Sequence, residues 1–387
     1  MRVCGIIAEY DPLHSGHAHH LREARRLTQA DVIVCVMSGS FTQRGMPAIL
    51  CTHTRAEMAL RAGADIVLGL PVSYSVCDAE RFALGGVSIL MRMGAEALCF
   101  GMEPAGIPVY QEAAHLLEQP SPAFLDRLHA LLSEGLSFPR AQGQALAEAL
   151  CVDEKLLSMP NTVLAICYAR AIRRLKAPMA LVPVPRSGDY HSDQLSVEAL
   201  PSATAVRSAL LSENFDAAER SMPPEAYALC QADFARGAYH APDALNGLLR
   251  WVLRHDGDFS RLPDLSEGLE NRLYSAANCL TREDMVLQIK SKRYPYARIN
   301  RLLTHALLGT DARRLSALPP HAYVLGLRRE VSPLLKAAMA EDFALFSSLA
   351  GQQLSYEMAL DARADDLWAL GARQPFGNIY RRPPVLL

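Results

Sequence analysis

Short apolar runs alternate with amphipathic segments along the first hundred residues of the chain. Four runs are apolar throughout, as expected for β-strands buried on both faces, and they read VCGIIA, DVIVCVM, ADIVLGLP and AEALCFG. Between them lie three segments with helical periodicity, HAHHLREARRL, THTRAEMALRAG and DAERFALGGVSILMRMG. This alternation of strand and helix predicts a doubly wound α/β fold, a parallel sheet with helices on both faces.

The pattern changes after this first unit. Residues 107–157 are predicted to be helical, and MALVPVPR, which ends at Arg186, predicts one more strand. A polar loop then leads to a helix that starts near Ser202. Helical periodicity dominates from residue 241 onward, so we predict an α/β domain over residues 1–240 and a helical domain over residues 241–387.

Composition narrows the class of protein. Half of the 387 residues are hydrophobic and 21% are charged, which is typical of a globular chain with a large core. The formal net charge of −2 means that any nucleic-acid surface must be a local patch. The nine cysteines form no CxxC pair, there is no signal peptide, and no apolar run approaches the roughly 20 residues of a membrane span. We therefore expect a soluble cytoplasmic protein.

The strongest chemical signal lies where the first strand should lead into the first helix. His14, Gly16 and His17 spell HxGH after a strand that Pro12 would end. His17 would lie in the first turn of the helix, where unpaired amides and the helix dipole favour an anion. Two imidazoles at that point can donate hydrogen bonds to an α-phosphate as its charge grows during in-line displacement. The motif therefore predicts a nucleotide site.

Two other interpretations of the histidines remain. His17 and His20 share a helical face and could bind zinc, but no carboxylate or cysteine stands at metal-like spacing nearby. His19 faces away from both and fits a surface histidine without a role. We favour phosphate over metal and expect no resident metal ion.

A second motif lies far downstream in PSATAVRSALL. Ser202 and Thr204 stand at a helix start, with Arg207 one turn inside the helix. Hydroxyls, backbone amides and a guanidinium at such a point suit the β- and γ-phosphates and the leaving pyrophosphate. Alone, the motif is equally consistent with an ordinary helix cap and an exposed arginine. Combined with HxGH on one doubly wound sheet, it resembles the HxGH nucleotidyltransferase superfamily.

Longer blocks sharpen this resemblance and cover most of the chain. The sequence resembles the tRNA(Met) cytidine acetate ligase family in GIIAEYDPLHSGHAHHL, VMSGSFTQRGMPAIL, RAEMALRAGADIVLGLP, FALGGVSIL, PNTVLAICY, SATAVRSAL, SEGLENRLY and KSKRYPYARINRLL. The resemblance implies an HxGH nucleotidyltransferase-type fold. It also implies an enzyme that uses ATP and acetate, without acetyl-coenzyme A, to acetylate the wobble cytidine of elongator tRNA(Met).

The resemblance also implies an ATP site. Its loop would comprise Ile7, Ala8, Glu9, Tyr10, Asp11, Pro12, Leu13, His14, Ser15, Gly16, His17, Ala18, His19 and His20. Three further nucleotide contacts would fall on Gly101, Asn161 and Arg186. Gly101 and Arg186 each end a predicted strand at the ligand edge, and Asn161 is equally consistent with a plain helix cap.

The chain departs from the family pattern at two places. Thr52 and His53 stand where family members often carry Lys-Trp, so a cation that could lie near phosphate or tRNA is missing. Asp11 replaces the usual asparagine and adds negative charge near the predicted phosphate site. Both histidines of HxGH are present, so we still expect an active enzyme.

A basic segment, KSKRYPYARINRLL, is the candidate RNA surface. Its cations and one tyrosine form the predicted tRNA contacts: Lys290, Lys292, Arg293, Tyr294, Arg298 and Arg301. Basic groups bind phosphate, and tyrosines can stack on the unpaired bases of a tRNA loop. A solvated basic helix is the other interpretation of these residues.

These observations lead to one preferred function. We expect an ATP-dependent ligase in which acetate attacks the α-phosphate to give acetyl-adenylate, with Mg²⁺ neutralising the triphosphate, and the cytidine amine then accepts the acetyl group. His14 and His17 would be catalytic, while Ser202, Thr204 and Arg207 would hold the leaving group. The alternatives are a cofactor-type adenylyltransferase and a tRNA-binding protein with a weakened nucleotide site.

Overall fold

The structure is a computed structural model. It describes residues 1–102, 106–185, 202–256, 258–266, 268–291 and 294–387. The strands are β1 Val3–Ala8, β2 Val32–Ser38, β3 Ile66–Leu70, β4 Ala97–Met102, β5 Ala180–Pro185, β6 His321–Leu327, β7 Ala344–Phe346 and β8 Val385–Leu386.

The helices of the first half are α1 Ser15–Thr28, α2 Thr52–Arg61, α3 Val72–Ser75, α4 Ala79–Arg92, α5 Ile107–Glu118, α6 Pro122–Ser133, α7 Phe138–Leu150, α8 Glu154–Ser158 and α9 Pro160–Leu175. Those of the second half are α10 Ala203–Leu211, α11 Phe215–Ser221, α12 Pro224–Ala235, α13 Asn246–His255, α14 Leu269–Ala276, α15 Arg282–Ile289, α16 Tyr296–Leu308, α17 Pro333–Ala338, α18 Tyr356–Gly371 and α19 Asn378–Arg381. Two short 3₁₀ turns cover Ala312–Arg314 and Arg329–Val331.

The strands form one sheet in the order β5-β4-β1-β2-β3-β6-β7, and β8 pairs with β6. Strands β5 to β3 are parallel, and β6 runs antiparallel to β3. The chain proceeds from β1 outward through β2 and β3, and returns to the other side of β1 for β4 and β5. Strand order therefore reverses beside β1, and ligands of doubly wound sheets bind outside the carboxyl ends of the strands at such a point. The predicted doubly wound α/β fold is confirmed.

Helices cover both faces of the sheet because the central strands are apolar on both sides. In β2, Val32, Val34 and Val36 join one core cluster together with residues of α4 and α9. Their neighbours Ile33, Cys35 and Met37 join the other, with residues of α1, α2 and α10. Each fully buried side chain of this size contributes about 1.5–3 kcal/mol, so the sheet is a rigid base for whatever its loops carry.

The part beyond residue 241 is less uniformly helical than its sequence predicts. Helices α13 to α16 build a core of their own, but β6, β7 and β8 return to the main sheet. Strand β6 reads HAYVLGL and is buried along its whole length. A short apolar run of this kind has no alternation to separate strand from helix, which is why the pattern missed it. The division into domains at residue 241 stays a prediction.

Within the described ranges, no helix combines the length and apolar character that crossing a membrane would require.

Candidate active site

A cavity of about 680 Å³ opens at the carboxyl end of β1, beside the point where strand order reverses. Its walls come from the loop after β1, the start of α1, the loop at residues 42–47, the end of β4 and the starts of α9 and α10. Its volume falls in the range of about 300–1,000 Å³ typical of small-molecule and cofactor sites. The topology and the cavity therefore point to the same place.

Most of the predicted nucleotide residues line this cavity. They are Ile7, Ala8, Glu9, Tyr10, Asp11, His14, Gly16, His17, His19, His20, Gly101, Asn161, Ser202, Thr204 and Arg207. Four residues of the predicted loop, Pro12, Leu13, Ser15 and Ala18, are not part of the lining, and both Leu13 and Ala18 are buried in the core. Arg186 lies outside the described residues. For all of these residues, contact with a nucleotide stays a prediction.

The two histidines of HxGH cap helix α1 reciprocally. Nδ1 of His14 accepts a hydrogen bond from the Gly16 amide at 3.1 Å, and Nδ1 of His17 accepts one from the His14 amide at 3.3 Å. This capping box starts the helix at Ser15, two residues earlier than the periodicity alone predicts. Because each Nδ1 accepts a hydrogen bond, a neutral ring carries its proton on Nε2.

The imidazole rings are held in one orientation. Those of His14 and His17 stack with centroids 3.7 Å apart, and the ring of Tyr10 meets His17 edge-on at 5.1 Å. Both His14 and Tyr10 are buried, so their packing restricts the movement of the ring stack. Imidazole N–H donors at the positive end of a helix suit an anion such as a phosphate group.

Asp11 and Arg207 form a pair that the sequence motifs did not predict. Nη1 of Arg207 lies 3.3 Å from the Asp11 carboxylate and donates to the Asp11 carbonyl at 2.5 Å. Asp11 also accepts a hydrogen bond from the Ile49 amide at 2.7 Å. The charge that Asp11 was expected to add beside phosphate is therefore balanced by this arginine. Because Arg207 lies on α10, its contacts with Asp11 tie that helix to the loop after β1. Within α10, Nη2 of Arg207 also donates to Thr204 at 3.2 Å.

Arg55 fixes the ends of two strands from beneath the cavity. Its side chain is fully buried and donates to the carbonyls of Glu9 at 2.7 Å, Ser38 at 3.1 Å and Leu50 at 3.1 Å, as well as to that of Gly39. Burial lowers the pKa of Arg55. Five donors in a planar fork can satisfy several converging carbonyls, which an ammonium group could not do.

Further lining residues come from places that the motifs did not mark. The amide of Gln43 donates to Oε1 of Glu9 at 2.6 Å, and its side chain donates to the Cys77 carbonyl at 2.7 Å. Arg44 follows in the same loop, after β2, which runs parallel to β1. Loops after neighbouring parallel strands meet at one edge, so the polar run SFTQRG was the signal available in the sequence. Phe100 and Tyr168, with ring centroids 5.9 Å apart, add an aromatic wall near Gly101.

The Thr52–His53 departure lies outside this cavity. Both residues line a second cavity of about 50 Å³ that shares no lining residue with the first. Burial, and then the nearby Arg382, lower the pKa of His53 to about 4, so its ring is neutral at physiological pH. The replaced Lys-Trp positions therefore do not remove a cation from the walls of the larger cavity.

Asp365 lies on the wall of the smaller cavity, and its ionised carboxylate should lower the free energy of unfolding at neutral pH. Burial raises its pKa from the ordinary 3.8 to about 6, and Asp366 adds to this, while Arg382 and hydrogen bonds from Ile379 and Ser40 oppose it. The folded state therefore holds the proton more tightly, and stability falls as pH rises from about 4 to 6. Asp365→Asn should raise the free energy of unfolding at pH 7.5 by about 1–2 kcal/mol and leave it unchanged at pH 4.

Urea unfolding at both pH values measures this effect, with Asp126→Asn on the exposed side of α6 as the control. An Asp365→Asn variant that gains no more at pH 7.5 than at pH 4 would contradict the assignment.

The predicted RNA segment is only partly exposed. Lys290 is exposed with its Nζ 3.8 Å from the ring centroid of Tyr296, which is itself exposed. Arg298 is half-buried and donates to the Asp264 carbonyl at 2.8 Å, while the hydroxyl of Tyr294 accepts from Ser266 at 3.1 Å. Lys292 and Arg293 lie outside the described residues.

Arg301 does not belong to a free basic surface. It is buried, and its Nε lies 2.8 Å from the Asp264 carboxylate. The sequence predicted that Arg298 and Arg301 both contact tRNA, but both side chains donate to Asp264 instead. The structure therefore corrects the expectation that Arg301 contacts RNA.

A metal site was the rival interpretation of the histidines. The described residues contain no group of three or more His, Cys, Asp or Glu side chains that could hold a metal ion. The imidazoles of His14 and His17 are instead accounted for by the capping box and the ring stack.

The chain is similar in sequence to known enzymes. A family model described as HIGH Nucleotidyl Transferase matches residues 1–379. The tRNA(Met) cytidine acetate ligase of Clostridium perfringens (strain SM101 / Type A) is 33% identical over 354 residues, which cover 87% of each chain. The protein of the same name from Clostridium tetani is 31% identical over 99% of each chain.

Solved structures give the same result. Thermotoga maritima TmcAL in its apo form I matches over the whole of both chains with a TM-score of 0.91 and 25% identity. The form II crystal of the same protein, bound with alpha-thio ATP, matches with a TM-score of 0.88. The similarity therefore includes the helical part as well as the sheet.

Proposed function

The chain belongs to the HIGH nucleotidyl transferase family and, within it, to the tRNA(Met) cytidine acetate ligases, and we propose that it acetylates the wobble cytidine of elongator tRNA(Met) with ATP and acetate. The observation that carries the proposal is the pair of imidazoles with fixed tautomers at the start of α1, inside the large cavity. Imidazole N–H groups at a helix start are donors suited to a phosphate on which negative charge develops.

The first step would take place at the α-phosphate of ATP. An acetate oxygen attacks the phosphorus in line, the bond to the bridging oxygen breaks, and pyrophosphate leaves as acetyl-adenylate forms. His14 and His17 would donate hydrogen bonds to the α-phosphate oxygens. Ser202, Thr204 and Arg207 line the same cavity at the start of α10, where they would hold the leaving pyrophosphate. Mg²⁺ bound to the phosphate oxygens would supply charge neutralisation.

The adenosine would lie on the opposite wall. Gly101 is the second-last residue of β4, beside Phe100 and Tyr168, and Asn161 lies in the first turn of α9 at the same edge. A flat aromatic and aliphatic wall next to a residue without a side chain suits a purine and its ribose.

The decisive experiment is pyrophosphate exchange into ATP, measured with and without acetate, followed by acetylation of tRNA(Met) transcripts. We expect exchange only with acetate, and acetylcytidine only when tRNA is added. Exchange that needs another acceptor would favour a cofactor-type adenylyltransferase. Binding of tRNA without exchange would favour a protein with a weakened nucleotide site.

The basic segment should act on RNA and not on ATP. Replacing Lys290, Lys292 and Arg293 with alanine should weaken tRNA binding, and each lost phosphate contact should lower the slope of log K against log salt by roughly 0.7–0.9. Acetyl-adenylate formation without tRNA should persist. A salt series of tRNA binding together with an exchange assay on the same preparation measures both effects.

The control for this triple variant carries alanine at Lys176 and Lys336. Both are exposed, Lys176 at the C-terminus of α9 and Lys336 on α17. Equal loss of exchange and tRNA binding would mean that the basic segment supports the fold or the ATP site. Unchanged tRNA affinity would mean that the RNA surface lies elsewhere on the protein.

A further inference from the structure

The second half of the proposed reaction needs a proton acceptor. When the exocyclic amine of cytidine attacks the acetyl carbonyl, its nitrogen becomes acidic and must lose a proton as AMP leaves. A general base of this kind has to reach into the cavity and must carry a lone pair that is not already used. The candidates are therefore the titratable groups that line the cavity.

The HxGH histidines are poorly placed to accept this proton. In each ring Nδ1 already accepts a backbone amide, so Nε2 carries the proton when the ring is neutral. Three other histidines line the wall, His19, His20 and His240. His240 is buried with Nε2 against Gly371, and burial lowers its pKa to about 4. His14 and His17 are therefore donors in this site.

Two carboxylates line the cavity among the described residues, Glu9 and Asp11. Asp11 has its oxygens occupied by the Ile49 amide and by Arg207, and it is buried. Glu9 differs. Its Oε1 accepts from the Gln43 amide at 2.6 Å, while no hydrogen bond from the described part of the chain reaches Oε2. Glu9 therefore keeps one oxygen for a ligand.

Glu9 is also held firmly. Its carbonyl accepts a hydrogen bond from Arg55 at 2.7 Å, and it directly follows the last residue of β1. Both ends of the residue are thus fixed, the main chain by a buried guanidinium and the carboxylate by the loop after β2. A base held in this way is pre-organised, and it stands five residues before His14 on the same cavity wall.

We propose that Glu9 is the general base of acetyl transfer, the residue that accepts the N4 proton of the wobble cytidine. The amine nitrogen forms a bond to the acetyl carbon, the bond between that carbon and the phosphate oxygen breaks, and AMP leaves with the electron pair. The N4 proton passes to Oε2 of Glu9, and the resulting carboxylic acid returns it to solvent. This inference rests on the proposed function and adds a role for a residue of its site.

The surroundings of Glu9 set the pH dependence. Burial raises its pKa, the Gln43 amide opposes this, Asp11 raises it further, and Arg207 and Arg44 lower it. The remaining neighbours are the rings of His14 and His17 on α1 and the guanidinium of Arg55 below. A base works in its deprotonated form, so the rate of acetyl transfer should rise with pH through a pKa above the ordinary value of a glutamate.

The test separates the two half-reactions. Enzyme is loaded with acetyl-adenylate from ATP and acetate, tRNA(Met) transcript is added, and single-turnover acetyl transfer is followed from pH 5 to 8. In Glu9→Gln we expect transfer to fall by about 10²-fold or more and to lose its rising limb with pH. Acetate-dependent pyrophosphate exchange, measured on the same preparation, should fall by a much smaller factor, because the first half-reaction does not use this base.

Glu9→Gln is a conservative change because the amide oxygen can still accept from the Gln43 amide. Glu9→Asp keeps a base on a shorter side chain and should recover part of the transfer rate together with the pH limb. The control is Glu23→Gln on α1, which removes a carboxylate that forms an ion pair with Arg26. It should change neither half-reaction.

Two results would overturn the role of Glu9 and leave the proposed function intact. One is wild-type acetyl transfer by Glu9→Gln. The other is loss of pyrophosphate exchange with an increased Mg²⁺ requirement, which would make Glu9 a ligand of the metal–ATP complex. If the wild-type protein gives no acetate-dependent exchange at all, the proposed function fails, and the role of Glu9 fails with it.

Discussion

Replacing His17 with alanine is expected to lower acetate-dependent pyrophosphate exchange by about 10²–10³-fold in a protein that remains folded. His17 lies on the first turn of α1 with its ring stacked on His14 at 3.7 Å, and its tautomer is set by the His14 amide. The variant removes a donor that would act most strongly on the charge developing at the α-phosphate. Acetate-dependent exchange at saturating ATP measures the loss.

The stability of the same variant should change little. His17 accepts one backbone amide as part of the capping box, and losing such a cap costs about 0.5–2 kcal/mol. His17→Asn is the informative partner because its amide oxygen can still accept from the His14 amide while it places no donor at the Nε2 position. The control is His129→Ala, which changes an exposed histidine on α6. Near-normal exchange in folded His17→Ala would remove the histidine from the chemistry.

Local sequence signals predicted the centre of the site well. An apolar strand, a proline, a glycine and an amphipathic helix follow one another within 25 residues, so neighbours in sequence are also neighbours in the fold. The capping box requires only His14 and His17, three residues apart, and the helix start at Ser15 follows from it. For the same reason the strands that flank the cavity were recognised from their runs of apolar residues.

Contacts between distant parts of the chain were harder to predict. Asp11 and Arg207 are 196 residues apart, and only the topology of the sheet shows that they neutralise each other. Arg301 has the sequence context of a surface cation, yet Asp264, 37 residues earlier, covers and pairs with it. In both cases the sequence did not show which carboxylate forms an ion pair with the arginine. That depends on packing and not on spacing in the sequence.

The role of Arg55 also could not be predicted from the sequence, since its hydrogen-bond partners are backbone carbonyls. Carbonyls carry no side-chain signature, and three of the four lie 16 to 46 residues away along the chain. A single buried arginine thereby joins the end of β1 to the end of β2 beneath the cavity. Removing its guanidinium should therefore destabilise the protein far more than removing a cation from the surface.

Arg55→Met should lower the free energy of unfolding by about 3–5 kcal/mol and abolish ATP binding. Methionine fills a similar volume but donates no hydrogen bond, so the buried carbonyls of Leu50 and Ser38 lose their partner at about 1–3 kcal/mol each. Glu9 and the loop that carries Gln43 would also lose their support. Urea unfolding and a binding titration with ATP measure the two effects.

Arg61→Met is the matched control, because Arg61 is on the same helix and pairs with Glu57 at the surface. Exposed ion pairs contribute at most about 1 kcal/mol, so this variant should unfold close to the wild-type midpoint and bind ATP normally. The difference between the two variants is the informative quantity, since both remove one guanidinium from α2. Equal midpoints for Arg55→Met and Arg61→Met would show that water replaces the lost donors, and Arg55 would then not be the anchor of the strand ends.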